Sequence, residues 1–185
     1  MESCGLAFEK KRKGNKMKTA LALVSDNFED LELMYPVIRM KEEGIDVVIA
    51  GDKVGHTYLG KHGYPCISSA QFQDLEGDQF DGVLIPGGFA PDRLRYNPAV
   101  LKLVKAIYTN NCPVAFICHG GWVPISANIL KGKKVTGTIA IKDDFENAGA
   151  IWQDQALVVD GHLISSRSPK DLHLFGKYLA KAIIK

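Results

Sequence analysis

Pro113-Val114-Ala115-Phe116-Ile117-Cys118-His119-Gly120-Gly121 is the stretch of sequence that decides the fold. Its first five residues form an almost wholly apolar run, which is typical of a strand buried on both faces of a parallel sheet. A cysteine, a histidine and two glycines follow at once, and apolar residues at helical spacing run from Trp122 to Ile129. The stretch therefore predicts a strand, a sharp turn that carries Cys118, and a helix.

The rest of the chain repeats this alternation of strand and helix. Short apolar runs at 19–24, 46–50 and 82–85 predict three more buried strands. Helices are predicted from about 30 to 43, from 97 to 108 and from 168 to 183, the first with Leu31, Met34, Tyr35 and Ile38 on its apolar face. Glycine-punctuated pieces around 60–68 and 156–166 indicate hairpins or edge strands. The pattern predicts an α/β fold with a mainly parallel, doubly wound sheet.

Length and composition indicate one soluble domain. The chain has 185 residues, of which 46% are hydrophobic and 24% charged, and its net charge of +2 gives no reason to expect a nucleic acid or membrane partner. No apolar run approaches the roughly 20 residues of a membrane span, and no secretory signal is seen, so a cytoplasmic location is expected. The domain is predicted to occupy 17–185, and the basic segment 1–16 is predicted to be a disordered tail.

The cysteines give no sign of a metal site or a disulfide framework. Cys4, Cys66, Cys112 and Cys118 form no CxxC pair and no Cys/His cluster with zinc spacing. We therefore expect reduced thiols, no metal and no organic cofactor.

Cys118 is the candidate nucleophile. The helix N-terminus that follows it offers positive potential and free N–H groups, which lower the pKa of a thiol and favour the nucleophilic thiolate. The alternative is a small buried core residue, because free cysteines are commonly buried. His119 is next to it in sequence, but neighbouring side chains leave the backbone in different directions, so contact between them is not guaranteed.

Two other loops end at the same predicted edge of the sheet. Gly87 and Gly88 follow a strand, and their backbone amides, with that of His119, are candidates for an oxyanion hole, although Gly-Gly is more often a plain turn. Acids at 26, 29 and 30 follow the first strand and commonly act as helix caps. The functional hypothesis is that Glu29 stays protonated and donates a hydrogen bond to the Cys118 thiolate.

Several motifs together resemble the PfpI family of intracellular cysteine proteases. That family belongs to the class I glutamine-amidotransferase-like superfamily, which includes protein deglycases and cofactor-free glyoxalases. The resemblance covers about 17–185, in motifs that occur in the family's order: Asn27-Phe28-Glu29-Asp30-Leu31-Glu32, Gly60-Lys61-His62-Gly63, Pro86-Gly87-Gly88-Phe89-Ala90-Pro91-Asp92, Ile117-Cys118-His119-Gly120, Ile141-Lys142-Asp143-Asp144, Asn147-Ala148-Gly149-Ala150 and Ser165-Ser166-Arg167-Ser168-Pro169-Lys170-Asp171-Leu172.

The resemblance implies a flavodoxin-like three-layer α/β/α sandwich with Cys118 as nucleophile. Glu29 matches the acid that hydrogen-bonds the thiolate, and His119 matches the histidine of the elbow. Asp92 matches the position from which some relatives donate a third acid to a neighbouring subunit, and relatives form dimers or hexamers. Two positions depart from the family: Gly121 stands where proline is common, and Thr138 stands where many relatives have an aromatic residue.

The expected function is a cysteine-dependent attack on a carbonyl, as in an intracellular peptidase, a glyoxalase or a protein deglycase. The alternative is a non-enzymatic redox sensor or stress holdase that uses an oxidisable Cys118. A flavin-binding module is disfavoured, because the acidic loop at 25–29 would repel a phosphate.

Overall fold

The computed structural model describes residues 17–185. The segment 1–16, for which a disordered tail was predicted, lies outside the described residues, as does Cys4. No helix between 17 and 185 is long and apolar enough to cross a membrane.

A seven-stranded sheet forms the centre of the fold, in the strand order β10-β11-β7-β6-β1-β2-β5. Every neighbouring pair in it is parallel except β10 with β11. Two-stranded sheets are formed by β3 with β4 and by β8 with β9. The strands are β1 (Thr19–Leu23), β2 (Asp46–Gly51), β3 (Thr57–Leu59), β4 (Pro65–Ile67), β5 (Ala70–Gln71), β6 (Gly82–Ile85), β7 (Val114–Ile117), β8 (Lys134–Val135), β9 (Ile151–Trp152), β10 (Leu157–Asp160) and β11 (Leu163–Ser166).

Helices cover this sheet and complete the predicted three-layer sandwich. All residues of β6 and β7 are buried, as expected for central parallel strands. The first helix packs against the last, while the third lies against β6 and β7. The helices are α1 (Asp30–Glu42), α2 (Ala90–Leu94), α3 (Pro98–Thr109), α4 (Trp122–Ser126), α5 (Lys142–Asn147) and α6 (Leu172–Ile184). The four predicted strands, three helices and two hairpins are confirmed; β5, β8, β9, α2 and α5 were not predicted.

The predicted apolar face of α1 is wrong. Leu31 and Ile38 are 57% and 52% exposed, and Tyr35 is also exposed. The buried face runs instead through Glu32, Leu33, Pro36, Val37 and Met40. The helix carries apolar residues on two faces, and only one of them can pack on the sheet.

The helix after the Cys118 turn is shorter than predicted. A 3-10 turn covers Cys118–Gly121, and α4 ends at Ser126 rather than continuing to Ile129. Asn128 takes a left-handed conformation with φ of 56°, which ends the helical path.

Candidate active site

Cys118 lies in a strained turn at the carboxyl end of β7. Its φ is +57°, a conformation that few non-glycine residues adopt and that is often found at functional sites. The two glycines that follow pack too closely for any side chain. A Cβ at Gly120 would lie 2.5 Å from the Ile85 carbonyl oxygen, and one at Gly121 would lie 2.2 Å from Cζ of Phe145. The predicted elbow is confirmed, and Gly121 gives the Phe145 ring its place against the turn.

The acid beside Cys118 is Glu32, not Glu29. Glu32 is fully buried, and its Oε2 accepts a hydrogen bond of 2.8 Å from the Gly87 N–H. A Cβ built on Gly87 would lie 2.4 Å from this Oε2 and 2.9 Å from Cβ of Cys118, so the two side chains flank the same glycine. The first turn of α1 thus delivers Glu32 to the elbow.

Glu29 occupies the N-cap position of α1 and faces the turn between β3 and β4. Its Oε2 lies 3.7 Å from Nζ of Lys61, and its Oε1 lies 3.7 Å from Nε2 of His62. The backbone explains the correction: Glu29 is the N-cap residue and has an extended conformation, so its side chain does not follow the helical face on which Glu32 lies.

A cluster of Glu29, Asp30 and His62 brings three potential metal ligands within 4.8 Å of one another. Both oxygens of Asp30 already accept backbone N–H groups, from His62 at 2.9 Å and from Tyr64 at 3.0 Å. Lys61 supplies a cation to Glu29. These contacts satisfy the carboxylates without an ion.

Burial sets the protonation of the Cys118–Glu32 pair. It raises the pKa of Glu32 to about 8, with a further rise from the nearby Glu29 charge and an opposing hydrogen bond from Gly87. Burial also raises the pKa of Cys118 to about 12, and the carboxylates of Glu32 and Glu29 add to this rise. The expectation of a lowered thiol pKa is therefore wrong: the helix that follows is short, and burial outweighs it.

Glu32 and Cys118 influence each other's ionisation. Oε1 is buried and makes no hydrogen bond of ordinary geometry with any described residue. The Cys118 thiol nevertheless acts on the carboxyl closely enough to influence the pKa of both groups. Two interacting sites of this kind titrate as a pair, so the first proton leaves near pH 8 and the second only in strong alkali.

His119 does contact Cys118. Its Nδ1 lies 3.4 Å from Sγ, and its ring centroid lies 5.2 Å from that of Trp122. Trp122 is held in turn by a hydrogen bond from its Nε1 to Asp144 and by Arg95, which lies over its ring. Burial lowers the pKa of His119, and the charge of Lys61 lowers it further. The imidazole is therefore neutral at pH 7 and can accept a proton.

The three candidate oxyanion amides differ in their partners. The Gly87 N–H is committed to Glu32, so this glycine does not fit the predicted role. Gly88 has the predicted positive φ, +76°, and its N–H has no acceptor among residues 17–185. The His119 N–H points to Cys118 and lowers the pKa of its thiol. Gly88 therefore has an unpaired N–H among the described residues, whereas the His119 N–H is bonded to the thiol.

Comparison with known proteins gives the family. The model of the DJ-1/PfpI family matches residues 18–182. The chain belongs to the DJ-1/PfpI family. Deglycase TK1284 of Thermococcus kodakarensis and deglycase PfpI of Pyrococcus furiosus are each 44% identical to it over 163 residues, 88% of this chain and 98% of theirs. YraA of Bacillus subtilis, named as a candidate cysteine protease, is 40% identical over 86% of this chain and 95% of its own.

Solved structures of the family share the fold. A two-domain protein from Anabaena variabilis, with DJ-1/ThiJ/PfpI-like and ferritin-like domains, superposes with a TM-score of 0.87 at 39% identity, over 89% of this chain and 47% of its own. DJ-1 of Schizosaccharomyces pombe, at 23% identity, superposes with a TM-score of 0.79 over 91% of this chain and 97% of its own.

Asp92, the third predicted acid, does not reach His119 within the described chain. It lies exposed in the first turn of α2, and its carboxylate makes no hydrogen bond or ion pair with the described residues. The aromatic residues on either side of this helix, Phe89 and Tyr96, are 66% and 70% exposed.

A cavity of about 450 Å³ opens beside the elbow in this DJ-1/PfpI protein. The strand β11 runs parallel to β7, so the residues that follow it emerge next to Cys118. Gly137, which lines the cavity, packs against the turn that carries Cys118. A Cβ on Gly137 would lie 3.1 Å from the Cys118 carbonyl oxygen. Thr138, Trp152, Arg167 and Lys170 line the cavity, and none of their roles was predicted from sequence beyond the note on Thr138.

Proposed function

We propose that this protein is a cysteine-dependent deglycase or cofactor-independent glyoxalase that acts on reactive carbonyls, with Cys118 as its nucleophile. The observation that carries the proposal is a strained cysteine flanked by a buried carboxyl, Glu32, and by a neutral imidazole, His119, 3.4 Å away. The deglycase names of the two relatives at 44% identity support the same reaction class.

The reaction uses each of these groups in turn. The Cys118–Glu32 pair releases one proton to solvent, which Glu32 regains from solvent at the end of the turnover, and the sulfur attacks the aldehyde carbon of a 2-oxoaldehyde. The carbonyl electrons move to the oxygen, which receives hydrogen bonds from the amides of Gly88 and His119 and a proton from Glu32. The adduct is a hemithioacetal.

His119 then carries the proton transfer between carbon atoms. The neutral imidazole removes the proton from the former aldehyde carbon and returns it to the neighbouring carbon, while the hydroxyl proton moves from the former aldehyde oxygen to the former ketone oxygen. These two shifts convert the hemithioacetal into a thioester of a 2-hydroxy acid. Water hydrolyses this thioester and releases the free thiol. The sum is one oxoaldehyde plus one water to one 2-hydroxy acid, with no external oxidant or reductant.

The test is lactate formation from methylglyoxal without added glutathione, measured for the wild type and for Cys118→Ala. We expect turnover on the order of 1 per second or faster in the wild type and none above background in the variant. His119→Ala should also lose turnover while it keeps the fold. Equal lactate formation by the wild type and Cys118→Ala would refute the proposal.

Peptide hydrolysis is the second candidate, suggested by the name of the Bacillus subtilis relative. It requires protonation of an amine leaving group and gains from a complete Cys-His-acid set. Within one chain His119 lacks a carboxylate partner among the described residues, so peptidase activity would depend on an acid supplied by a partner subunit, and we place it behind carbonyl chemistry for that reason.

The redox-sensor alternative conflicts with the same site. Reactive sensor thiols are exposed and have a lowered pKa, whereas Cys118 is half-buried with a raised pKa. A sensor would keep its oxidation behaviour after His119→Ala, so this variant separates the two functions.

We also propose that the protein self-associates and that Asp92 of the partner subunit completes the site at His119. The exposed Phe89 and Tyr96 beside Asp92, and the exposed apolar face of α1, support an interface, because large apolar side chains seldom cluster on a free surface. Either a dimer or a hexamer would bring two copies of α2 together.

Mixed assemblies test this arrangement. Asp92→Ala and Cys118→Ala subunits, carrying different tags, are co-expressed and the mixed species is purified. If Asp92 acts across an interface, the Cys118→Ala subunit supplies it to the intact Cys118 of its partner, and activity returns. Activity of the mixture no higher than that of Asp92→Ala alone, or a monomer in light scattering, would contradict the proposal.

A further inference from the structure

A basic turn, Gly60-Lys61-His62-Gly63, is fixed against the active-site loop. The Lys61 N–H donates to the Phe28 carbonyl at 2.8 Å. The buried carboxylate of Asp30 accepts the backbone N–H of His62 at 2.9 Å, and Gly60 has no room for a side chain because a Cβ there would lie 2.3 Å from Asp30 Oδ1. The backbone of this turn is therefore held in one position.

Only one backbone segment separates this turn from the nucleophile. Phe28 forms a parallel bridge with Gly60 on one side and an antiparallel bridge with Gly88 on the other. The neighbouring Gly87 packs on Cβ of Cys118. The turn thus forms one wall of the site, and the charge of Lys61 acts on the ionisation of both Glu32 and His119.

The Lys61 ammonium group has capacity for a further partner. Its side chain is 46% exposed, and its ion-pair partner among the described residues is Glu29, 3.7 Å away. An ammonium group has three donors, and one contact at this length leaves the others free to bind. The Glu29 side chain is only 13% exposed, so Lys61 is the more accessible member of the pair.

The wall formed by this turn also contains the Glu29 carboxylate, which repels an anion, while Glu32 is mainly protonated at pH 7. A substrate or product with a negative charge next to the reacting carbon needs a cation to offset this repulsion. Lys61 is a half-exposed cation on a fixed turn at that wall, while Lys170 lines the separate cavity beside the elbow.

We infer that Lys61 binds the carboxylate of a small 2-hydroxy or 2-oxo acid at the Cys118 site. The choice of acid rests on the proposed function, which forms a 2-hydroxy acid there; the anion site rests only on the position of Lys61. The side chain is a specificity-determining group that contacts the ligand's carboxylate and takes no part in the proton transfers.

Binding of glycolate and of glycolamide tests the inference. The two molecules have nearly the same shape, and only glycolate is charged. Titration calorimetry uses the Cys118→Ser protein, in which turnover cannot obscure binding, and adds Lys61→Gln, Lys61→Arg or Lys170→Gln to it. We expect glycolate to bind about ten-fold or more tightly than glycolamide, because a single charge-assisted hydrogen bond contributes an affinity difference of this size.

Lys61→Gln should remove this preference, while Lys61→Arg and Lys170→Gln should retain it. A preference that survives Lys61→Gln, one that disappears with Lys170→Gln instead, or no preference in the Cys118→Ser protein would each overturn the inference. Thermal unfolding shows whether each variant is still folded. If Lys61→Gln is unfolded, Lys61→Arg tests whether a positive charge at this position is sufficient for the preference. A Lys61-dependent preference in a protein that forms no lactate from methylglyoxal would support the anion site and reject the proposed reaction.

Discussion

Replacement of Glu32 by glutamine should make the protein more stable, and increasingly so as the pH rises. Glutamine has nearly the same shape, and its carbonyl oxygen can accept the Gly87 N–H as Oε2 does at 2.8 Å. Its amide cannot ionise. The difference between the two proteins therefore isolates the cost of an ionisable carboxyl at a fully buried position.

The magnitude follows from the pKa of Glu32, which rises from 4.5 in the unfolded chain to about 8 in the fold. Between these values the unfolded chain has released the proton and the folded protein keeps it, so stability falls as the pH rises. Each pH unit costs about 1.4 kcal/mol, which gives at most about 5 kcal/mol over the whole window. Below pH 4.5 this contribution is fully present, and above about 8 the loss is complete.

Urea unfolding at pH 5, 6, 7 and 8 measures this effect in the wild type, Glu32→Gln and Glu29→Gln. The free energy of unfolding of Glu32→Gln minus that of the wild type should grow by several kcal/mol across the series. Glu29→Gln is the matched control, because its side chain pairs with Lys61 and His62 instead. A flat difference for Glu32→Gln, or a growing one for Glu29→Gln alone, would refute the assignment of Glu32 as the acid beside Cys118.

Two further variants and one reagent test the geometry of the site. Gly87→Ala should cost roughly 1–3 kcal/mol of stability and most of the turnover, because its Cβ would lie 2.4 Å from Glu32 Oε2; urea unfolding and lactate assays measure both, and normal values would contradict the packing. Asp30→Ala should destabilise the protein by about 1–3 kcal/mol in urea, because the His62 N–H loses its acceptor at 2.9 Å; an unchanged midpoint would contradict this. Alkylation of Cys118 by iodoacetamide, followed by mass spectrometry, should still accelerate between pH 8 and 10, because burial raises the pKa of the thiol to about 12; a rate that levels off below pH 9 would contradict the raised pKa.

The fold was predictable because the strands that matter are wholly apolar. The runs that became β1, β6 and β7 are buried almost throughout, and such runs have few alternatives in a chain that also contains amphipathic helices. Cys118 was predictable for the same reason, since it follows β7 directly and two glycines follow soon after. The strands β5 and β8 have only two residues each, and they form through contacts with residues distant in sequence. Such contacts produce no hydrophobic pattern in the local sequence.

Glu32 was missed because the wrong face of α1 was assigned to the core. The helix has one apolar stripe through Leu31 and Ile38 and another through Leu33 and Val37, and sequence spacing does not rank them. The second stripe is the buried one, and it carries Glu32 with it. The sequence did contain one signal for Glu32: it is an acid on an otherwise apolar stripe. Burial of an acid is costly, so an acid in this position indicates a function.

The raised pKa of Cys118 is compatible with catalysis and argues against a sensor. Burial raises the pKa of Glu32 to about 8 and that of the Cys118 thiol to about 12, so both groups are mainly protonated at pH 7. The thiol therefore has to lose its proton as it attacks the substrate, with a neighbouring group taking that proton. Between turnovers the pair is neutral, and a neutral thiol reacts slowly with oxidants. A sensor would need the opposite arrangement, an exposed thiolate at rest, whereas a carbonyl enzyme gains from a thiol that ionises beside its substrate, next to a carboxyl that can return the proton.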